Sequence, residues 1–99
     1  MSNDITIEHH ETSNGGEYRA STGDGTHAGE LAWRQQGEGV RVASHTGVPS
    51  EMRGKGIAAK LVDALIEDAR TEGFKIVPAC SYVASAFEDH PEWSELKAA

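Results

Sequence analysis

The chain has 99 residues, with 16 acidic and 9 basic side chains and a formal net charge of −7. That length supports one hydrophobic core, so we expect a single domain over residues 1–99. The charge argues against sequence-independent nucleic-acid binding, which depends on cationic side chains. The single cysteine, Cys80, excludes an internal disulfide framework, and no apolar run reaches the ~20 residues of a membrane span. With no basic and apolar signal-peptide pattern at the start, we expect a cytoplasmic protein without a membrane partner.

The first half of the chain predicts four strands in an antiparallel meander, because apolar and polar residues alternate between glycine-rich turns. The four runs are residues 5–10, 17–22, 27–36 and 40–46, and the turns are residues 12–16, 23–25 and 37–39. In the fourth run, strict alternation places Arg41, Ala43 and His45 on one face. His9 and His10 are adjacent in the first run and point to opposite faces, so we assign no metal site.

The second half changes to a helical period, with apolar residues recurring every three or four positions over residues 56–72. Gly73 follows at the position of a helix cap. A strand over residues 74–79 and a short helix over residues 82–89 come next, and Pro91 ends that helix. Strands joined by a helix are expected to be parallel neighbours. The expected fold class is therefore α+β: a four-stranded antiparallel meander, then helix–strand–helix, with one parallel strand pair.

A glycine-rich turn joins the fourth strand to the long helix, and residues 53–58 read Arg-Gly-Lys-Gly-Ile-Ala. Gly54 and Gly56 let the backbone approach a ligand without an intervening Cβ. The unpaired amides of the first helical turn and the helix dipole suit a diphosphate, and Arg53 and Lys55 add positive charge. No P-loop string occurs, and the context does not fit a dinucleotide fold. The alternative interpretation is a helix start that is flexible because of its glycines and binds no ligand.

These residues fit the R/Q-x-x-G-x-G/A signature of the GNAT acyltransferase superfamily, which binds acetyl-CoA. The strand end at residues 77–80 (Val-Pro-Ala-Cys) and the tail at residues 90–93 (His-Pro-Glu-Trp) resemble a small, truncated branch of that superfamily. The resemblance covers nearly the whole chain and is strongest over residues 45–96. It implies a GNAT-like mixed sheet. The chain lacks the early helices and final strands that help form the acceptor pocket in larger members.

The resemblance also implies a site for acetyl-CoA or CoA. The amides of the turn would bind the diphosphate, and the end of the fourth strand would line the pantetheine arm where the parallel strands splay apart. The implied cofactor-binding residues are Thr46, Gly47, Val48, Arg53, Gly54, Lys55, Gly56, Ile57 and Ala58. The acetyl thioester would then lie near Cys80.

Cys80, His45 and Tyr82 are the candidate catalytic residues. Many members place a tyrosine acid in the second helix, where this chain has Ala86 and Phe87, so that assignment does not carry over. A cysteine that opens a helix has a lowered thiol pKa, and its thiolate can accept an acetyl group. Alternatively, the Cys80 thiol is the acid that protonates the leaving CoA thiolate. A third possibility is that Cys80 is only a small buried apolar residue. His45 either takes the proton of an incoming amine or is a neutral histidine that fills a polar space in the strand. Tyr82 either protonates or positions the reacting groups, or is a half-buried aromatic residue of the helix.

The expected function is an acetyl-CoA-dependent N-acyltransferase acting on a small cationic amine or a lysine-containing peptide. The acidic composition favours a cationic acceptor. A non-catalytic sensor or interaction module that binds CoA or acyl-CoA is the alternative, and a structural domain that has lost its ligand is a third. We expect a monomer or a weak homodimer, because the open edge of a small sheet can pair with a second copy.

Overall fold

The computed structural model describes residues 4–98, which form one five-stranded sheet with helices. The strands are β1 (Ile5–Glu11), β2 (Gly15–Thr22), β3 (His27–Gln35), β4 (Val40–Gly47) and β5 (Lys75–Pro78). The helices are α1 (Ile57–Glu72) and α2 (Ser81–Asp89), with 3-10 turns at Ser50–Met52 and Pro91–Leu96. The strand order is β1-β2-β3-β4-β5, antiparallel except for the parallel β4–β5 pair, so the expected fold class is confirmed.

Both helices cover the same face of the sheet. α1 buries one apolar side against β1, β2 and β3, while α2 packs near β4 and β5. Gly73 ends α1 in the left-handed conformation (φ 86°) and donates its N–H to the Ala69 carbonyl oxygen at 2.8 Å, as its sequence position predicts. The shared core contains Tyr18, Leu31, Trp33, Leu61, Leu65, Ile76, Val83, Phe87 and Trp93. Over residues 4–98, no helix combines the length and the hydropathy needed to cross a membrane.

A β-bulge in β4 changes the face on which His45 lies. Ala32 pairs with His45 and Trp33 pairs with Ala43, so Ser44 is an extra residue in β4. Directly opposed residues share a face, and Ala32 lies on the face away from the helices. Strict alternation had placed His45 beside Ala43 on one face, and that expectation was wrong because the bulge shifts the alternation by one residue.

A second bulge lies at the start of β3. Ala20 pairs with Gly29 and Ser21 pairs with His27, which leaves Ala28 as the extra residue. Without this bulge, His27 would share the helix-covered face with Gly29. The bulge turns His27 instead onto the open face of the sheet, where its side chain is exposed.

The pairing between β4 and β5 stops at the first bulge. It runs from Val40–Lys75 to Ala43–Pro78, and beyond it the Cys80 N–H donates to the Ala43 carbonyl oxygen at 2.8 Å. The last residues of β4, from Ser44 onward, have no partner in β5. The β4–β5 pairing therefore stops short of the C-terminal end of β4, and α2 begins directly after this point in the chain.

The largest difference from the expected element boundaries is at the start of β2, and the other boundaries differ by one residue at most. Gly15 and Gly16 belong to β2 rather than to a turn, because a Cβ at either position would approach Trp33 within 2.8 Å. These glycines serve close packing against the indole and its backbone. Pro91 ends α2 as predicted, but it also begins a 3-10 turn that carries Trp93 into the core.

Candidate active site

The glycine turn before α1 has the geometry of an open anion site. Gly54 (φ 84°) and Gly56 (φ 74°) adopt the left-handed conformation, and a Cβ at either position would meet no atom within 4 Å. Gly56 is the N-cap of α1, no side chain caps it, and the first turn contains no acidic residue. The first-turn N–H groups therefore have no side-chain acceptor, and the helix dipole favours an anion there.

Two cationic side chains accompany this turn. The Arg53 Nε donates to the Val48 carbonyl oxygen at 3.3 Å, which ties the turn to the end of β4. Lys55 is exposed and makes no hydrogen bond or ion pair with the rest of the described chain. A surface pocket of about 210 Å³ adjoins them, lined by Val48, Met52, Arg53, Gly54, Gly56, Ile57, Ala58, Ala59 and Tyr82. A small region of positive charge thus lies in a chain of net charge −7.

Cys80 contacts Thr46, in the part of β4 that has no partner in β5. It is the N-cap residue of α2, and its Sγ lies 3.4 Å from the Thr46 Oγ1. Burial alone raises the pKa of the Cys80 thiol, but the Thr46 hydroxyl and the backbone N–H groups of Val83 and Tyr82 outweigh it and lower the pKa. Those amides act at longer range, since the side chain makes no capping hydrogen bond. The thiolate, which is the reactive form of cysteine, therefore forms more readily here than in an unperturbed cysteine.

Tyr82 lies in the first turn of α2, between two pockets. Its side chain is 42% exposed and, in the described chain, is the one large apolar group left on the surface. It lines the pocket at the glycine turn and also a second pocket of about 150 Å³ between α1 and α2. This exposure leaves the Tyr82 side chain available to a ligand.

His45 lies on the opposite face of β4 from Thr46, within a cluster that the sequence did not predict. Its Nε2 is 3.0 Å from Glu30 Oε2, and the His27 Nε2 is 2.7 Å from Glu30 Oε1. Burial alone raises the pKa of Glu30, but its hydrogen bonds with His45 and His27 lower the pKa overall. Regular alternation separates His27 from Glu30, so only the pairing register could have revealed this cluster.

The chain belongs to the GCN5-related N-acetyltransferase family, whose model matches residues 17–96. The solution structure of a GCN5-like protein from Staphylococcus aureus superposes with a TM-score of 0.70 at 26% identity, covering 99% of this chain and 91% of that one. The family expected from residues 53–58 is thereby confirmed, and the chain is an N-acetyltransferase by family.

Two further solved structures share the fold alone. An IAA acetyltransferase from Bacillus cereus has a TM-score of 0.66 and 16% identity, over 87% of this chain and 75% of that one. Nourseothricin acetyltransferase has a TM-score of 0.54 and 18% identity, over 77% of this chain and 59% of that one. The sheet described above is therefore the one on which these acetyltransferases are built.

Proposed function

We propose that this protein transfers an acetyl group from acetyl-CoA to an amine. The observation that carries the proposal is the end of β4 that has no partner in β5, where Thr46 contacts Cys80 and an uncapped helix N-terminus follows in the chain. Members of the family generally use acetyl-CoA, which supplies an activated acetyl thioester when it is bound. The open space at Gly54 and Gly56 fits a diphosphate, because it leaves the backbone amides accessible.

In this proposal the chain holds the cofactor mainly with backbone groups. The diphosphate-binding residues are Arg53, Gly54, Lys55, Gly56, Ile57 and Ala58. Thr46, Gly47 and Val48 line the pantetheine arm, since the end of β4 has no partner strand on the β5 side. The Val48 N–H donates to the thioester carbonyl oxygen, where negative charge develops during acyl transfer.

Cys80 acts on the sulfur side of the reaction. Its thiol gives a proton to the departing CoA thiolate, or its thiolate first takes the acetyl group and CoA leaves as the thiolate. In the second route the amine then attacks the acetylated cysteine and the Cys80 thiolate is restored. Tyr82, which lines the adjoining pocket, helps to position the groups at this end of the site.

The acceptor in this proposal is a small cationic amine or the lysine of a peptide. The net charge of −7 favours such an acceptor by long-range attraction. His45 takes a proton from the attacking nitrogen, because its imidazole is exposed at the end of β4. The face of the sheet that carries His45 is not covered by the helices, so an acceptor can reach it from solution.

Thermal unfolding in the presence of acetyl-CoA tests the binding step. Acetyl-CoA at ten times its Kd stabilises the folded state by about 1.4 kcal/mol, a rise of roughly 6–11 °C for a domain of this size. Gly56→Val abolishes the rise by placing a side chain where the phosphates approach. Gly37→Val is the matched control, since Gly37 is also left-handed (φ 63°) and open but lies in the β3–β4 turn. No rise in the parent chain at millimolar acetyl-CoA would contradict the proposal.

Free-CoA release with spermidine and with a lysine-containing peptide tests the transfer step. Intact-mass measurement after incubation with acetyl-CoA tests the covalent route, in which one acetyl group is added to the parent chain and none to Cys80→Ser. An adduct that persists in Cys80→Ser would exclude Cys80 as its site. Binding without CoA release for either amine would favour the non-catalytic CoA-binding module instead.

A further inference from the structure

Three side chains form a hydrogen-bonded cluster on the open face of the sheet, and it lies outside the cofactor-binding turn. Glu30 of β3 places one carboxylate oxygen 2.7 Å from the His27 Nε2 and the other 3.0 Å from the His45 Nε2. The Glu30 side chain is 23% exposed, whereas those of His27 and His45 are 43% and 59% exposed. One carboxylate therefore orients two accessible imidazoles.

Both β-bulges of the sheet are needed to build this cluster. Without the extra Ala28, His27 would lie on the opposite face from Glu30, three residues further along the same strand. Without the extra Ser44, His45 would lie on the face covered by the helices. Two independent irregularities thus direct two histidines to one carboxylate, and bulges are enriched where a side chain is aimed at an active site.

The hydrogen bonds fix the tautomer of each ring. The carboxylate only accepts, so each Nε2 must carry a proton and donate it to Glu30. The pKa of Glu30 is lowered overall by these contacts despite its burial, which keeps the carboxylate ionised. The Nδ1 of His45 makes no hydrogen bond with any described residue. In the neutral ring, Nδ1 therefore presents a free lone pair, as a general base requires.

The cluster lies directly over the end of β4. A Cβ at Gly47 would lie 2.5 Å from Glu30 Oε2 and 3.0 Å from His45 Nε2, so the pair covers this backbone position. Thr46, the residue before it, contacts Cys80 from the other face of the strand. The imidazole and the thiol thus flank the same strand end from its two faces.

We propose that Glu30 is a positioning residue for acetyl transfer: it holds His45 as the Nε2–H tautomer, so that Nδ1 accepts the proton of the acceptor amine. This inference rests on the proposed function. The amine nitrogen forms its bond to the acetyl carbon as the carbon–sulfur bond breaks and the electron pair leaves with the sulfur. One proton of the ammonium ends on the CoA sulfur, and the other passes through His45 Nδ1 to water. His27 binds the second oxygen of Glu30 and fixes the carboxylate plane.

Nitrogen chemical shifts of the imidazole rings test the positioning without any substrate. Long-range ¹H–¹⁵N spectra of the parent chain are expected to show the Nε2–H tautomer for His45. In Glu30→Gln the side-chain amide accepts from one ring but donates to the other, so the tautomer population of at least one ring changes. An Nδ1–H tautomer at His45 in the parent chain would overturn the inference, whatever the transfer activity.

Steady-state kinetics test the consequence for transfer to spermidine. Glu30→Gln is expected to lower kcat about 10²-fold, the size of a general-base contribution, with KM for acetyl-CoA unchanged. Imidazole in the buffer partly restores His45→Ala but not Cys80→Ser. Glu8→Gln is the matched control, because Glu8 pairs with His10 at 3.3 Å on β1, another exposed carboxylate–imidazole pair.

The possible results separate this inference from the proposed function. Full kcat in Glu30→Gln, in a preparation whose parent chain transfers acetyl, would overturn the positioning role. Equal losses in Glu30→Gln and Glu8→Gln would also overturn it. A parent chain that binds acetyl-CoA but transfers no acetyl group would contradict the proposed function. The ring tautomers would still show whether Glu30 holds His45 with its proton on Nε2.

Discussion

The two faces of the sheet each carry a cluster of histidine and carboxylate groups. The clusters differ in whether the histidine rings have a nitrogen without a polar neighbour. On the helix-covered face, the His9 ring stacks on Tyr18 with centroids 4.1 Å apart. Its Nε2 accepts from the Trp33 Nε1 at 3.0 Å, and its Nδ1 lies 3.7 Å from Asp68. Both nitrogens of His9 thus face a polar group, whereas each imidazole of the Glu30 cluster contacts a polar group through one nitrogen only.

Arg41 completes the helix-face cluster. Its guanidinium lies 3.9 Å from the ring centroids of both Trp33 and Phe74, and it donates to Glu11 at 2.9 Å and to Glu72 at 3.4 Å. No buried side-chain nitrogen or oxygen in the described chain lacks a partner. A fully satisfied cluster holds the sheet to α1, while a cluster with a free nitrogen can exchange a proton. Substitutions on the helix face should therefore change stability, and substitutions at Glu30 should change transfer.

Arg41→Ala is expected to have the largest effect on stability. It removes two cation–π contacts and the positive partner of two carboxylates, and we expect a loss of about 3 kcal/mol in the free energy of unfolding. Urea denaturation of both proteins measures this loss. Arg19→Ala is the control, because Arg19 pairs with Glu17 at 2.9 Å but is half exposed, and its loss should be below about 0.5 kcal/mol. Equal losses in the two variants would show that the helix-face cluster is not structural.

Tyr18→Phe is expected to have the next largest effect. The buried Tyr18 hydroxyl donates to Asp68 Oδ2 at 2.6 Å and accepts from the Arg41 Nη1 at 3.3 Å. Burial, followed by the Asp68 contact, raises the pKa of Tyr18, so the hydroxyl keeps its proton as a donor. Loss of this hydroxyl should cost about 1–2 kcal/mol in urea denaturation. Tyr82→Phe, in which the exposed hydroxyl has no partner among the described residues, should stay within about 0.5 kcal/mol of the parent.

Local signals in the sequence predicted the long helix, its glycine cap and the turn at residues 53–58. These features depend on residues that are close in the chain: an apolar period of 3.6, a C-terminal Gly73 and glycines at a helix start. The parallel pair of β4 and β5 also followed, because a helix between two strands restricts the topology.

The two bulges could not be predicted, because they depend on the register between strands. Ser44 and Ala28 look like ordinary strand residues, and only pairing across the sheet shows that each is extra. The alternation assigned to His45 failed for this reason, and the Glu30 cluster remained hidden with it. The burial of Arg41 could not be predicted either, because a charged side chain is rarely buried. Its two aromatic partners, Trp33 and Phe74, are distant from it in the sequence.

Thr46→Val tests the hydrogen bond between Thr46 and Cys80, which belongs to neither histidine cluster. The Cys80 thiol has one side-chain partner, the Thr46 hydroxyl, and remains partly accessible. Removing a hydrogen bond worth about 1 kcal/mol raises the thiol pKa, so alkylation by iodoacetamide near pH 7 should slow roughly fivefold. Thr6→Val, at an exposed position of β1, should leave the rate unchanged. An unchanged rate in Thr46→Val would mean that the α2 N-terminus alone sets the reactivity.

The smallest expected effect is the pH dependence of the helix-face cluster. Burial, and then the charge of Arg41, lower the pKa of His9 below its usual 6.5, although nearby carboxylates oppose them. The folded state therefore binds fewer protons than the unfolded chain once the pH falls below about 6.5, and stability decreases from there towards the folded pKa. The groups that face His9 are Arg41, Glu11, Asp68, Glu72, Tyr18 and Trp33.

Urea midpoints measured near pH 7.5 and near pH 5.5 should show this loss as roughly 0.5 kcal/mol or less, because solvent screens a partly accessible ring. His9→Gln should remove that part of the difference, and His10→Gln, on the opposite face of β1, should retain it. Protonation at Nε2 would direct an N–H at the indole N–H of Trp33, so acid breaks the same hydrogen bond that His9→Gln alters. If the difference survived in His9→Gln, His9 would not be the group that makes stability depend on pH.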